Sequence, residues 1–171
     1  MSWNPILSAG GTTNDFGQNI AVDGSGNVYV AGTYSGTATF TGIINISTTS
    51  VGNNDIFVAK YNSMGYLQWV QSGGGTNYDY LQGIDVDANG NVYITGYFYG
   101  TATFGGISKT AQSQGYTDIF VAHYNSNGTI KWVLTAGGIF GEVSNDIAVD
   151  NRGNCYITGA YGQTATFCKF L

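Results

Sequence analysis

The sequence predicts an all-β protein built from repeated four-stranded antiparallel units, about 2.7 of them in 171 residues. Three observations carry this. A motif of 63–64 residues recurs in one register from end to end. Within each copy, short runs rich in Val, Ile, Tyr and Phe alternate apolar and polar residues, the period of a half-buried strand. Glycine-bearing turns separate the runs, and no segment has a helical period.

The repeat is legible at several places. Asp23-Gly24-Ser25-Gly26-Asn27-Val28-Tyr29 returns as Asp87-Ala88-Asn89-Gly90-Asn91-Val92-Tyr93 and as Asp150-Asn151-Arg152-Gly153-Asn154-Cys155-Tyr156. Thr37-Ala38-Thr39-Phe40 recurs at 101–104 and 164–167. Asp55 to Asn62 recurs as Asp118 to Asn125, and Trp69 as Trp132, with Trp3 opening the same segment after allowance for a two-residue insertion at Asn4-Pro5.

Four strands per unit follow. In the first copy, strand a is read from Asn19 to Asp23, and a glycine turn leads to strand b, Asn27 to about Tyr34. Thr37–Phe40 is read as a pleated piece continuing outward from b. A long loop then runs to Asn54, strand c spans Asp55 to Tyr61, and strand d spans Tyr66 to Gln71. Repeating four-stranded antiparallel units are the sequence form of a β-propeller, each unit one blade. The expected division is a single domain, 1–171, with a leading outer strand and loop (1–18), one blade at 19–82, a second at 83–145 and a partial third at 146–171.

The pattern W…GG…D…IAVD..GNVYV.G…TATF…DIFVAKYNS.G…W, running from Trp3 to Phe167, resembles the bacterial SBBP β-propeller repeat. Strands a and b are also similar to NHL-type blades. The resemblance implies the propeller fold, and a setting in large bacterial surface or secreted proteins, hence an extracellular or cell-surface location. It implies no particular ligand.

The strand order is d, abcd, abcd, ab, so the ring is unfinished. Propellers close with about four to eight blades, and open sheets leave unpaired edges. Two readings stand: the chain is part of a longer propeller, or several copies complete one another's blades as a homo-oligomer.

Composition excludes several functions. Charged residues are 9% and the net charge is −5, with five scattered Lys and Arg, so there is no basic footprint for nucleic acid. No apolar run reaches the ~20 residues of a membrane helix, and the first residues lack the basic and apolar regions of a signal peptide. His123, the only histidine, stands where the first copy has Lys60 and reads as a solvent-facing strand residue. Gly73-Gly74-Gly75 lacks the Lys-Ser/Thr of a phosphate loop, and no nucleophile elbow is present. Asp85 to Asn91 is similar to a calcium loop, but its first Asp is Ala21 or Ala148 in the other copies, so Asp23, Asp87 and Asp150 read as turn residues. Cys155 replaces Val28 and Val92 and reads as a small buried hydrophobe, with a disulfide to Cys168 not implied by spacing. Asn45-Ile46-Ser47 and Asn127-Gly128-Thr129 are formal glycosylation sequons. No enzyme, cofactor or metal site is expected.

Blade topology places the b–c loops (Thr41–Asn54, Gly105–Thr117) and the d–a connections (Ala9–Gly17, Gly73–Leu81, Ala136–Ser144) on one face. Long loops on a rigid scaffold concentrate binding residues. The candidates there are the recurring acids Asp15, Asp79 and Glu142, and the aromatics Phe16, Tyr78, Tyr80 and Phe140. The acids could form a carboxylate ring for a cation or basic group, or cap turn N–H groups, the reading we favour. The aromatics could stack on a sugar or anchor a protein, or pack between blades. The expected function is a non-enzymatic binding or scaffolding module for a protein or glycan. The alternative is a structural subunit that assembles by blade completion, and a propeller-based enzyme ranks third.

Overall fold

The computed structural model describes residues 8–110 and 116–162, and the backbone of 166–167. Among these residues there is no helix, so none is long and apolar enough to cross a membrane. Trp3, Cys168 and part of the third TATF motif lie outside the described residues.

The first repeat folds as β2 (Asp15–Val22), β3 (Val28–Tyr34), β6 (Asp55–Tyr61) and β7 (Leu67–Gly75), joined antiparallel in the order β2-β3-β6-β7. The second repeats this with β8 (Asp79–Val86), β9 (Val92–Tyr99), β12 (Thr117–Tyr124) and β13 (Ile130–Gly137). The third contributes the hairpin β14 (Val143–Val149) and β15 (Cys155–Ala160). These are the expected a, b, c and d strands, with a and d longer than the alternation suggested and b and c close to it.

The a–b hairpins show why the motif recurs. Asp23 Oδ1 accepts the N–H groups of Ser25 and Asn27 at 2.9 and 3.0 Å, and its Oδ2 accepts the Asn27 side-chain amide at 2.7 Å. Asp87 and Asp150 repeat all three bonds. A side chain that satisfies the turn's N–H groups fixes the hairpin locally.

Three expectations need correction. The TATF piece does not extend strand b within its own sheet. β10 (Thr101–Phe104) pairs with β7 of the preceding repeat, β4 (Thr37–Phe40) pairs with β1 (Ala9–Gly10), and β16 (Thr166–Phe167) pairs with β13. Each repeat therefore stitches itself to the one before it. The b–c loops are not wholly irregular: β5 (Ile46–Thr49) and β11 (Ile107–Thr110) return as hairpins on β4 and β10, with paired Thr and Ser hydroxyls such as Thr103–Ser108 at 2.8 Å. And Gly73-Gly74-Gly75 is strand, so the d–a connection shrinks to 76–78.

The core lies between sheets. Tyr29, Ala31, Ile56 and Val58 of the first sheet pack on Val92, Ile94, Phe120, Ala122, Tyr124 and Val133 of the second. Tyr93 and Val121 of the second meet Ile147 of the third repeat. Burial of this kind contributes roughly 25 cal/mol per Å² of apolar surface, which is what holds successive repeats face to face.

Candidate functional site

The ends of strands b and d and the starts of strands a and c meet on one face. Asn54 and Tyr78 form a parallel bridge, and the Asp79 N–H donates to the Asn54 carbonyl at 2.9 Å. In the next repeat the Glu142 N–H donates to the Thr117 carbonyl at 2.8 Å. Six of the seven candidate residues start, or immediately precede, an a strand on this face, and Phe140 lies three residues before one.

The acids are caps. Asp15 Oδ2 accepts the Gly11 N–H at 2.7 Å, Asp79 Oδ2 that of Gly75 at 2.7 Å, and Glu142 Oε2 that of Gly138 at 3.1 Å. Asp79 and Glu142 are fully buried and Asp15 half-buried. A second acid, from the start of strand c, lies over the same glycine pair. A Cβ on Gly74 would sit 2.5 Å from the Asp55 carboxyl carbon, and one on Gly137 2.1 Å from that of Asp118. The glycines are present because a carboxylate occupies the place of their side chain. Burial, and then the neighbouring Asp55 charge, push the Asp79 carboxyl up to about 7. Burial also pushes Asp55 up. Each of the three recurring acids thus gives one oxygen to its turn.

The aromatics divide. Tyr78 stacks on Tyr80 with ring centroids 6.2 Å apart and planes 7° apart, and Tyr80 meets Tyr97 at 5.1 Å. Tyr78 is 47% exposed, and Tyr80 and Tyr97 are half-buried beneath it. Phe16 (54% exposed) lies at the start of the a strand of the first repeat, and Phe140 (38%) in the d–a connection before β14. Phe16, Tyr78 and Phe140 each keep a third or more of their surface open to solvent. Tyr97 was not singled out from sequence, because the first copy has Thr33 at its position.

Elsewhere, in the calcium-like segment, Asp85 accepts the N–H groups of Val86 and Val149, and Asp87 is the turn cap described above. His123 is not solvent-facing. Its ring lies between Tyr93, 4.4 Å away and nearly parallel, and Trp132 at 5.1 Å, and burial pushes its pKa down. Cys155 is half-buried beside Tyr93 and Trp132, and burial pushes its thiol up. Among the described residues no three His, Cys, Asp or Glu side chains gather into a metal-binding group.

Comparison with known proteins agrees with this architecture. Residues 8–33 match the SBBP family, described as a beta-propeller repeat. An uncharacterized WD repeat-containing protein of Acanthamoeba polyphaga mimivirus is 32% identical over 153 residues, 78% of this chain and 11% of the relative. The regulatory protein FlaEY of Caulobacter vibrioides is 32% identical over 110 residues, 63% of this chain and 12% of the relative. The chain thus spans about a tenth of the length of these curated relatives. Residues 8–33 thus match a β-propeller repeat of the SBBP family, and the motif and strand order of that match recur along the chain.

Proposed function

We propose that the chain is a non-enzymatic propeller module that binds a protein or glycan on its long-loop face, through the tyrosine stack of Tyr78, Tyr80 and Tyr97. The observation that carries this is the Tyr78 ring, 47% exposed yet stacked on Tyr80, which in turn packs on Tyr97. A rigid, amphipathic aromatic surface binds with little ordering cost, and tyrosine suits the face of a sugar or a protein anchor. With the acids engaged as caps, the aromatics are the surface groups left to make contacts.

A panel of immobilised glycans probed with the whole chain, beside its Tyr78→Ala variant, tests this. The expected result is binding to a defined sugar class that Tyr78→Ala weakens at least tenfold with an unchanged melting temperature. Equal binding by both proteins would remove the stack from the function, and hydrolysis of a bound glycan would overturn the non-enzymatic reading.

A second reading, assembly with further repeats, is favoured by a separate observation. Ile84 and Ile147 are 7% and 5% exposed, whereas Ile20 at the same repeat position is 64% exposed. At the other end, Tyr29 and Tyr93 are 0% and 4% exposed, whereas Tyr156 is 61% exposed. Both outer faces present apolar surface of the kind that the inner repeats bury. Further blades, from the same polypeptide or from other copies, would cover it. Light scattering tests the second source: a discrete oligomer supports it, and a monodisperse monomer at high concentration overturns it.

A further inference from the structure

Two buried carboxyls at the junction of the first and second repeats have oxygens that the turns do not use. Asp55 opens strand c of the first repeat and Asp79 opens strand a of the second. Asp55 Oδ2 accepts the Val51 N–H at 3.1 Å, and Asp79 Oδ2 accepts that of Gly75 at 2.7 Å. The other oxygen of each, Oδ1, is buried and has no hydrogen-bond partner. The two residues are 2% and 0% exposed. The N–H groups of Gly52 and Tyr99 favour negative charge there, but neither makes a hydrogen bond to these two oxygens. A buried carboxylate is stable only when something positive or donating meets it.

The surrounding strands supply no such side chain. β3, β7, β8, β9 and β10 carry no Lys or Arg. Lys60 lies toward the other end of β6 and gives its Nζ to the Ser126 carbonyl at 3.1 Å. The backbone, in contrast, is shaped around the pair. A Cβ on Gly74 would sit 2.6 Å from Asp55 Oδ1, the oxygen without a partner. The segment that caps Asp55 closes on the d–a connection: a Cβ on Gly52 would meet the Thr76 carbonyl, and Asn54 bridges to Tyr78. At the second junction Glu142 Oε1 is also buried without a partner, but neither oxygen of Asp118 is. Among the described residues, only the first junction sets two such oxygens, from two acids, against adjacent glycines.

We propose that Asp55 and Asp79 bind one calcium ion through their Oδ1 atoms. Carboxylate oxygens with no nitrogen or sulfur donor beside them suit a hard cation and not zinc. Calcium accepts irregular shells completed by backbone carbonyls and water, whereas magnesium demands a near-ideal octahedron and keeps its waters, which suits a buried pair poorly. Two side chains suffice in such a shell, so the site falls below a group of three acids. The ion fastens strand c of one repeat to strand a of the next. Tyr78 and Tyr80 flank Asp79, so it also fixes the base of the tyrosine stack. The inference goes beyond the binding reading and needs no ligand on that stack.

Calcium chloride is the probe, titrated calorimetrically into the whole chain after removal of metal by a chelator, with melting temperatures recorded alongside. One ion per chain is expected to bind and to raise the melting temperature by several degrees. Asp79→Asn and Asp55→Asn should each weaken binding about tenfold or more, because affinity follows ligand charge. Glu142→Gln should bind as the wild type does. No heat and no thermal shift with the wild type would overturn the proposal, and so would equal binding by Asp79→Asn or an equal response to magnesium chloride. The wild-type titration can overturn the site even if a variant does not fold. The glycan panel is read separately, so failure there leaves the calcium result standing, and the converse holds.

Discussion

The indole of Trp69 lies against the backbone of Gly128 in the next repeat, so close that a Cβ there would come within 2.8 Å of the ring. Gly128 also has φ of +81°, a conformation that a side chain disfavours. One glycine therefore ends the c–d turn and makes room for the neighbouring repeat's tryptophan. Local turn chemistry and inter-repeat packing meet at a single residue.

Trp69→Ala should destabilise the chain by about 3 kcal/mol, the lower part of the range for a large aromatic, since the ring is half-buried. Gly128→Ala should cost a comparable amount, and the double variant clearly less than the sum, because both changes break one contact. Urea unfolding at fixed pH measures all three. Full additivity would show that the two residues act separately.

The exposure contrast at one repeat position yields a matched pair. Ile84→Ser should cost roughly 2–4 kcal/mol by removing buried apolar surface. Ile20→Ser should change stability by less than about 0.5 kcal/mol, as for an open surface position. Thermal melts of the two variants provide the comparison, and equal losses would mean that Ile20 is covered in solution.

Tyr29 supplies a second pair. Its hydroxyl lies 3.0 Å from Asp23 Oδ2 and 3.3 Å from the Gly90 carbonyl, bridging two repeats through a buried oxygen. Tyr29→Phe should cost about 1 kcal/mol, the net worth of such a bond. Tyr156→Phe, at the exposed equivalent, should be neutral. Chemical denaturation resolves the difference.

The Asp79 carboxyl leads to a pH dependence. Its folded value is about 7 against an ordinary 3.8, chiefly through burial. Between pH 4 and 7 the folded chain holds a proton that the unfolded chain has released, so stability falls as pH rises through that window and levels off above it. The drop is of order 4 kcal/mol for a shift of this size, and Asp55 acts in the same direction. The turn caps oppose it only at lower pH. Asp150 is held low by its Asn154 bonds, and so is Asp23, where bonds from Asn27 and Tyr29 overcome the upward push of burial. Asp79→Asn should flatten the profile, because an amide still accepts from Gly75 and carries no charge. Melting temperatures from pH 4 to 8 test this, and an unchanged slope in Asp79→Asn would exclude the assignment.

The repeat, the four main strands and the Asp-capped hairpins were legible in the residues, because they rest on local rules. Strand alternation, glycine turns and a side chain bonding within four residues need no knowledge of distant partners. Asp23, Asp87 and Asp150 read as turn residues from the sequence alone, as does the capping alternative for Asp15, Asp79 and Glu142. Tertiary structure decided the rest. Ile46–Thr49 and Ile107–Thr110 are too short and too rich in Ser, Thr and Lys to signal strands, and they exist because β4 and β10 offer them a partner. The Gly73–Gly75 run reads as loop in any local scheme, yet it is strand because β10 pairs with it and Asp55 fills the space over Gly74. Exposure of Ile20 against burial of Ile84 has no local cause, since the residues are identical and only the neighbouring sheet differs. The sequence by itself determined the unit and its turns, which depend on contacts a few residues apart. Only the tertiary structure decided how each unit stitches to the one before it and which faces stay open, because those depend on surfaces brought together from about 60 residues apart.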